Sequence, residues 1–227
     1  MDSCIYREDH SEPASSYILK SEASGSRTIV NYNELPEMTL SEFKEKISRL
    51  AKDEKRTWFH FEGREVETSI QCLQWLKSEY PDCVRSVEVE KPDRPGLEKM
   101  AQEADVVFFS KTWAEAAGFR DAETLLREQA KMLRGASLLC CTWGAQGAAV
   151  LSFVDGSLHT ARSAPEVDAQ VVDTIGAGDT FTAGIIQEFL RPQSGSVADR
   201  AKAAVEFANQ LAGRKVLQEG FSNLGSG

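Results

Sequence analysis

A short glycine-rich segment, residues 172–181 (VDTIGAGDTF), contains the residues of this chain that are best suited to chemistry. Gly176, Ala177 and Gly178 leave the backbone almost bare of side chains, and a helix is predicted from Thr180 onward. The amides at the start of a helix lack intrahelical acceptors and lie at the positive end of the helix dipole. The sequence therefore predicts that this segment binds an anion such as a phosphate.

Asp179 is the candidate catalytic residue of the segment. A bound phosphate would repel its carboxylate, unless the site uses that carboxylate to take a proton from an attacking hydroxyl. This argument favours a phosphotransferase. A plainer interpretation stays open, because short Gly/Asp clusters are typical of strand-to-helix turns in which the Asp caps the helix.

The composition excludes several other classes of protein. With 227 residues, 41% of them hydrophobic, the chain is long enough for one large domain with a core. The net charge of −9, without a basic block, argues against nucleic-acid binding. Since there is no long apolar run and no signal peptide, we expect no membrane association and a cytoplasmic location. Five cysteines without a Cys-x-x-Cys pair predict reduced, mostly buried thiols and no metal site.

Strand and helix patterns alternate along most of the chain. Strands are predicted at 16–19 and 28–32 (a hairpin), 57–61, 84–89, 105–109 and 137–142, with a second hairpin around 155–157. Helices are predicted after the capping box of Thr39 and Glu42, through residues 70–76, and at 121–134, 180–190 and 197–212. This order predicts an α/β fold whose mostly parallel sheet is covered on both faces. Ligands bind such sheets at the carboxyl ends of the strands, so residues 144–147 and 176–179 should share one rim.

Residues 173–181 (DTIGAGDTF) resemble a signature of the ribokinase/phosphofructokinase-B family of sugar kinases. Five further segments are similar to the ketohexokinase (fructokinase) branch: 22–29 (EASGSRTI), 86–92 (SVEVEKP), 106–111 (VVFFSK), 142–147 (TWGAQG) and 208–213 (ANQLAG). The resemblance implies a ribokinase-like three-layer α/β/α fold. It also implies a single carbohydrate-kinase domain over residues 1–227, in which residues 16–32 form part of a β lid.

The same resemblance implies roles for individual residues. Asp179 corresponds to the catalytic base, which also contacts the substrate hydroxyl, and Gly176, Ala177 and Gly178 correspond to the anion hole. The implied ATP contacts are Arg27, Gly144, Ala145, Gln146, Gly147 and Asn209. ATP and Mg²⁺ are implied as cofactors, a monovalent cation is left open, and the acceptor is a small sugar. Family members often dimerise through the lid, so a homodimer is expected.

Two departures from the family pattern bear on function. The family's N-terminal third supplies the first strands, a substrate-binding Asp and a Gly-Gly-Asn segment, and we expect these strands to be missing here. Residues 110–113 are SKTW where many members carry Asn-x-x-Glu. Two alternatives to a ketohexokinase-like enzyme therefore stay open. One is a ribokinase-like or nucleoside kinase, and the other is a non-catalytic nucleotide-binding pseudokinase or truncated product.

Overall fold

The computed structural model describes residues 4–20, 27–49, 57–162, 171–191 and 197–225. These residues belong to two compact units, Met1–Asp53 and Glu54–Gly227. None of the described helices combines the length and apolar character that crossing a bilayer requires.

The first unit contains the predicted hairpin. Strand β1 (Ser15–Lys20) pairs antiparallel with β2 (Arg27–Tyr32), and helix α1 spans Leu40–Ser48. The Thr39 side chain accepts from the Glu42 amide while the Glu42 side chain accepts from the Thr39 amide, which confirms the capping box. The predicted turn at residues 21–26 lies outside the described residues.

A six-stranded sheet forms the centre of the second unit, with its strands in sequence order. They are β3 (Trp58–Phe61), β4 (Val84–Val89), β5 (Val106–Phe109), β6 (Leu138–Thr142), β7 (Ala148–Ser152) and β8 (Leu158–Ala161). Strands β3 to β6 are parallel, whereas β7 and β8 run antiparallel to their neighbours. The predicted α/β fold with a mostly parallel sheet is confirmed.

The helices of the second unit are α2 (Val66–Glu79), α3 (Leu97–Gln102), α4 (Lys111–Ala116), α5 (Ala122–Met132), α6 (Ala177–Leu190) and α7 (Val197–Val216). The two short helices α3 and α4 were not predicted. Helix α6 begins three residues earlier than expected, and α7 continues four residues beyond the predicted end.

Helices cover both faces of this sheet. One face carries a core in which Phe181 and Ile185 of α6 and Val205 of α7 pack with residues of β5 to β8. Alternate strand residues such as Val107 and Leu139 are buried on the opposite face, and α5 contacts β6 and β7. The arrangement is the expected three-layer α/β/α sandwich. Four of the five cysteines are buried and Cys4 is exposed, as predicted.

Candidate active site

The glycine-rich segment forms the start of helix α6. Gly176 is the N-cap in a left-handed conformation, with φ of +73°, and no side chain caps this helix end. Asp179 therefore belongs to the first helical turn, and the interpretation of Asp179 as a helix cap is wrong. Its carboxylate does not cap the helix.

The backbone around Gly176 carries the predicted anion hole. The positive φ at residue 176 favours glycine, and a Cβ atom there would lie 2.4 Å from the Cζ atom of the exposed Phe221 ring, which would have to move. The Thr180 amide donates to the Gly176 carbonyl in the first helical hydrogen bond, at 2.9 Å. The amides of Gly178 and Asp179 precede that bond, and groups in this position lack intrahelical acceptors. The Ala177 amide donates to the Thr174 carbonyl at 3.3 Å, so the amides of Gly178 and Asp179 are the ones placed to bind an anion, and the anion hole stays a prediction.

The pKa of Asp179 is raised above its ordinary value. Partial burial of the carboxylate is the largest cause, the negative charges of Glu88 and Glu90 add to it, and His60 acts in the opposite direction. Although the residue reaches solvent, the protein atoms around the carboxylate partly desolvate it. A raised pKa increases the carboxylate's affinity for a proton, as a general base requires.

Glu88 joins two strand ends to helix α6. Its Oε1 atom lies 3.4 Å from Nε2 of His60 and accepts a hydrogen bond from Thr182 Oγ1, also at 3.4 Å. Nδ1 of His60 lies 2.8 Å from the Ser86 hydroxyl. Glu88, Glu90 and His60 were not predicted as site residues. The signal that could have found them is their position near the carboxyl ends of β3 and β4, where parallel sheets bind ligands.

A cavity of about 360 Å³ lies between the two glycine-rich loops and α7. Its lining is Thr142, Gly144, Ala145, Gly147, Val171, Thr174, Ala177, Gly178, Phe181, Asn209, Ala212, Gly213 and Val216. Six of the residues predicted to bind ATP or phosphate thus face one space, whose size is in the range of small-molecule sites. Gln146 and Gly176 are not among the lining residues.

The family can be identified by comparison with known proteins. The pattern of the pfkB family carbohydrate kinases matches residues 2–225. The chain belongs to this family. It is 34% identical to ketohexokinase from Mus musculus over 209 residues, which are 89% of this chain and 65% of the mouse protein. The chain thus spans slightly less than two thirds of that relative.

Solved structures agree with the ribokinase-like fold of this pfkB family member. A fructokinase double mutant from Vibrio cholerae O395, solved with fructose, ADP and a potassium ion, superimposes with a TM-score of 0.67 at 20% identity. The match covers 92% of this chain and 69% of that one. Ribokinase from Giardia lamblia gives a TM-score of 0.68 at 17% identity, over 93% of this chain and 68% of that one. At such identities the likeness shows the fold alone.

The first glycine-rich loop, residues 144–147, is shaped by Gly147. A short 3₁₀ turn, Gly144–Gln146, leads to this glycine, whose φ is +97°. Its carbonyl accepts from the Trp143 amide at 2.7 Å, and a Cβ atom here would lie 2.0 Å from the Ala161 carbonyl oxygen. The glycine is therefore required by the packing of β8 against the loop, whatever the loop binds.

Three further predicted positions lie outside the two glycine-rich loops: Asn209, Arg27 and residues 110–113. Asn209 of α7 donates through Nδ2 to the Arg162 carbonyl at 2.9 Å, which links the cavity wall to the end of β8. Arg27 begins β2 in the first unit, and its role at the phosphates stays a prediction. Ser110 caps α4 by accepting from the Trp113 amide, and Trp113 is buried. Residues 110–113 thus form a helix start without a carboxylate.

Proposed function

We propose that this pfkB family member transfers the γ-phosphoryl group of ATP to a sugar hydroxyl, as a kinase of the ketohexokinase or fructokinase type. The observation that carries the proposal is the single cavity shared by the two glycine-rich loops and α7. Gly178 lines this cavity, and Asp179 follows it directly in the chain. A nucleotide whose phosphates reach Gly178 would therefore have them beside the candidate base, although Asp179 itself is not among the lining residues.

The transfer would be an in-line displacement. The acceptor oxygen forms a bond to the γ-phosphorus while the bond from that phosphorus to the β–γ bridging oxygen breaks, and ADP leaves. Asp179 takes the proton of the hydroxyl, which increases the nucleophilic character of the oxygen. The amides at the start of α6 donate to the phosphoryl oxygens. The family resemblance implies that Arg27 adds positive charge to the phosphates, and this role stays a prediction.

Mg²⁺ would bind mainly through the phosphates of ATP, because the described residues contain no group of three or more His, Cys, Asp and Glu side chains that could hold a metal ion. Mg²⁺ at phosphoryl-transfer sites is usually held by one or two carboxylates together with phosphate oxygens and waters. When bound with ATP, Mg²⁺ would offset the negative charge of the phosphates. A requirement for a monovalent cation stays a prediction.

The proposal also covers the acceptor sugar and the assembly of the protein. The name of the mouse relative and the fructose in the bacterial structure favour fructose as acceptor. A homodimer through the hairpin is supported by apolar side chains exposed on β1 and β2, among them Tyr17, Leu19 and Val30. A cytoplasmic location stays a prediction.

The test is turnover by the full 227-residue chain with MgATP and one acceptor at a time: fructose, ribose or adenosine. Fastest ADP formation with fructose supports the proposal, whereas faster reaction with ribose or adenosine favours the ribokinase-like or nucleoside kinase. The melting temperature with and without ADP is measured in parallel. Stabilisation by ADP without turnover would indicate a nucleotide-binding protein that is not an enzyme. If the chain shows no turnover and no stabilisation by ADP, the proposal is overturned.

A further inference from the structure

Lys215, in the last turn of α7, is completely buried, with 0% of its side chain exposed. Its Nζ atom donates to Oδ2 of Asp173 at 2.7 Å and to the Asp173 carbonyl at 3.2 Å. Lysine is almost never fully buried unless it is paired, since desolvating an ammonium is costly. One ammonium thus binds both the side chain and the backbone of the same residue.

Asp173 in turn holds the segment that leads to the anion hole. Its Oδ1 atom accepts from the Ile175 amide at 2.9 Å, one residue before Gly176. The amides of Val172 and Asp173 both donate to the Val216 carbonyl. The hydrogen bond from Lys215 is the main cause that lowers the pKa of Asp173, so the carboxylate is held in its charged form. Asp173 is therefore fixed between the end of α7 and the anion loop.

Phe221 adds a second contact between the same two parts of the chain. Its ring centroid lies 5.1 Å from Nζ of Lys215, and the ring packs so closely against Gly176 that a Cβ atom there would overlap it. The stretch from Lys215 to Phe221 thus contacts the loop at Asp173 and at Gly176. The conformation of the anion hole depends on this stretch as well as on α6.

We propose that Lys215 is a positioning residue for phosphate binding, which acts through Asp173 to hold residues 173–178 in the conformation that exposes the amides of the anion hole. This inference rests on the proposed function, because it assumes that the cavity takes a nucleotide. Stability alone does not account for the lysine, since apolar replacements of buried ion pairs are often neutral or stabilising. A cation with two oxygen partners fixes the orientation of the loop in a way that apolar packing does not.

The test compares binding of ADP and of adenosine to the full chain by titration calorimetry. Adenosine lacks phosphates, so a general loss of structure weakens both ligands, whereas a misplaced anion hole weakens ADP alone. We expect Lys215→Met to raise the Kd for ADP by about tenfold or more, the scale of one charge-assisted hydrogen bond, and to leave adenosine binding unchanged. Lys215→Arg, which keeps the charge, should retain most of the ADP affinity. Lys202→Met, at an exposed lysine of the same helix, is the control.

The double variant Asp173→Asn with Lys215→Met provides a second test if Lys215→Met does not fold. It removes both charges of the pair, so no buried charge is left unpaired. We expect it to fold and to bind ADP as weakly as Lys215→Met. Wild-type ADP affinity in the double variant would overturn the positioning role while leaving the proposed function intact. If the wild-type chain binds no ADP at all, the proposed function and this inference both fail.

Discussion

A Cβ atom at Gly184 would lie only 2.7 Å from the Cα atom of Ala208, so the backbones of α6 and α7 touch at this point. Only glycine allows the two backbones to approach this closely. Both helices line the cavity, through Gly178 of α6 and Asn209 of α7 among others. The width of the proposed nucleotide site is thus set partly by one glycine that does not face it.

Gly184→Ala should destabilise the protein, because the added methyl group meets backbone atoms that cannot rotate away. We expect a loss of about 1–3 kcal/mol in the free energy of unfolding, the range typical of overpacking. Denaturant unfolding measures it. Gly213→Ala in α7 is the matched control: a Cβ atom there meets nothing within 4 Å, so helix propensity predicts a small gain of up to about 1 kcal/mol. Equal changes in the free energy of unfolding for the two variants would contradict the close contact between α6 and α7.

Gly147→Ala should abolish ADP binding and destabilise the fold, since its Cβ atom would collide with the Ala161 carbonyl. Gly144→Ala is the comparison within the same loop. Residue 144 also has a positive φ, +58°, but a Cβ atom there meets nothing within 4 Å. The strain of that backbone should cost about 1 kcal/mol and leave a measurable ADP affinity. The two effects are separated by a thermal melt and an ADP titration of each variant, and ADP binding by Gly147→Ala would contradict the account.

Sequence patterns predicted the elements with strong local signals well and the two short helices poorly. The capping box at Thr39 and the four-residue buried strand Val106–Phe109 carry strong local signals. Helix α3 has only six residues, and it begins at Gly96 in a left-handed conformation instead of at a side-chain cap. Helix α4 has a Ser110 cap, but its six residues do not show a helical period. Tertiary packing fixes such helices, so local patterns miss them.

The sequence points most clearly to the part of the candidate site that lies within one continuous segment. The backbone of residues 176–178 and the carboxylate of Asp179 are adjacent in sequence, and a helix start explains both. Glu88 and His60 are 28 residues apart and meet only because β3 pairs with β4 in the register that sets His60 opposite Ser86. Lys215 and Asp173 are 42 residues apart. No periodicity connects such pairs, so the sequence alone gave no reason to join them.

Glu88→Gln should lower the pKa of Asp179, because the negative charge of Glu88 opposes ionisation of that carboxyl group. His60→Gln should raise it, since His60 acts in the opposite direction. If Asp179 is the base, the acid limb of the activity profile should move to lower pH in Glu88→Gln and to higher pH in His60→Gln.

A carboxyl-carbon NMR titration of Asp179 measures these shifts independently of activity. Glu98→Gln, at an exposed glutamate of α3, should leave the titration unchanged. Shifts of the same sign in Glu88→Gln and His60→Gln would show that some other interaction controls Asp179.

The central claim is that Asp179 removes the proton from an acceptor hydroxyl. The most direct test is phosphorus NMR of sugar phosphate formation from MgATP and fructose, by the wild-type chain and by Asp179→Asn, together with the Kd of each for ATP. We predict that Asp179→Asn lowers kcat by about 10²–10⁴-fold and changes the Kd for ATP little, since the base acts only as the acceptor attacks. A nearly wild-type rate in Asp179→Asn would contradict the account.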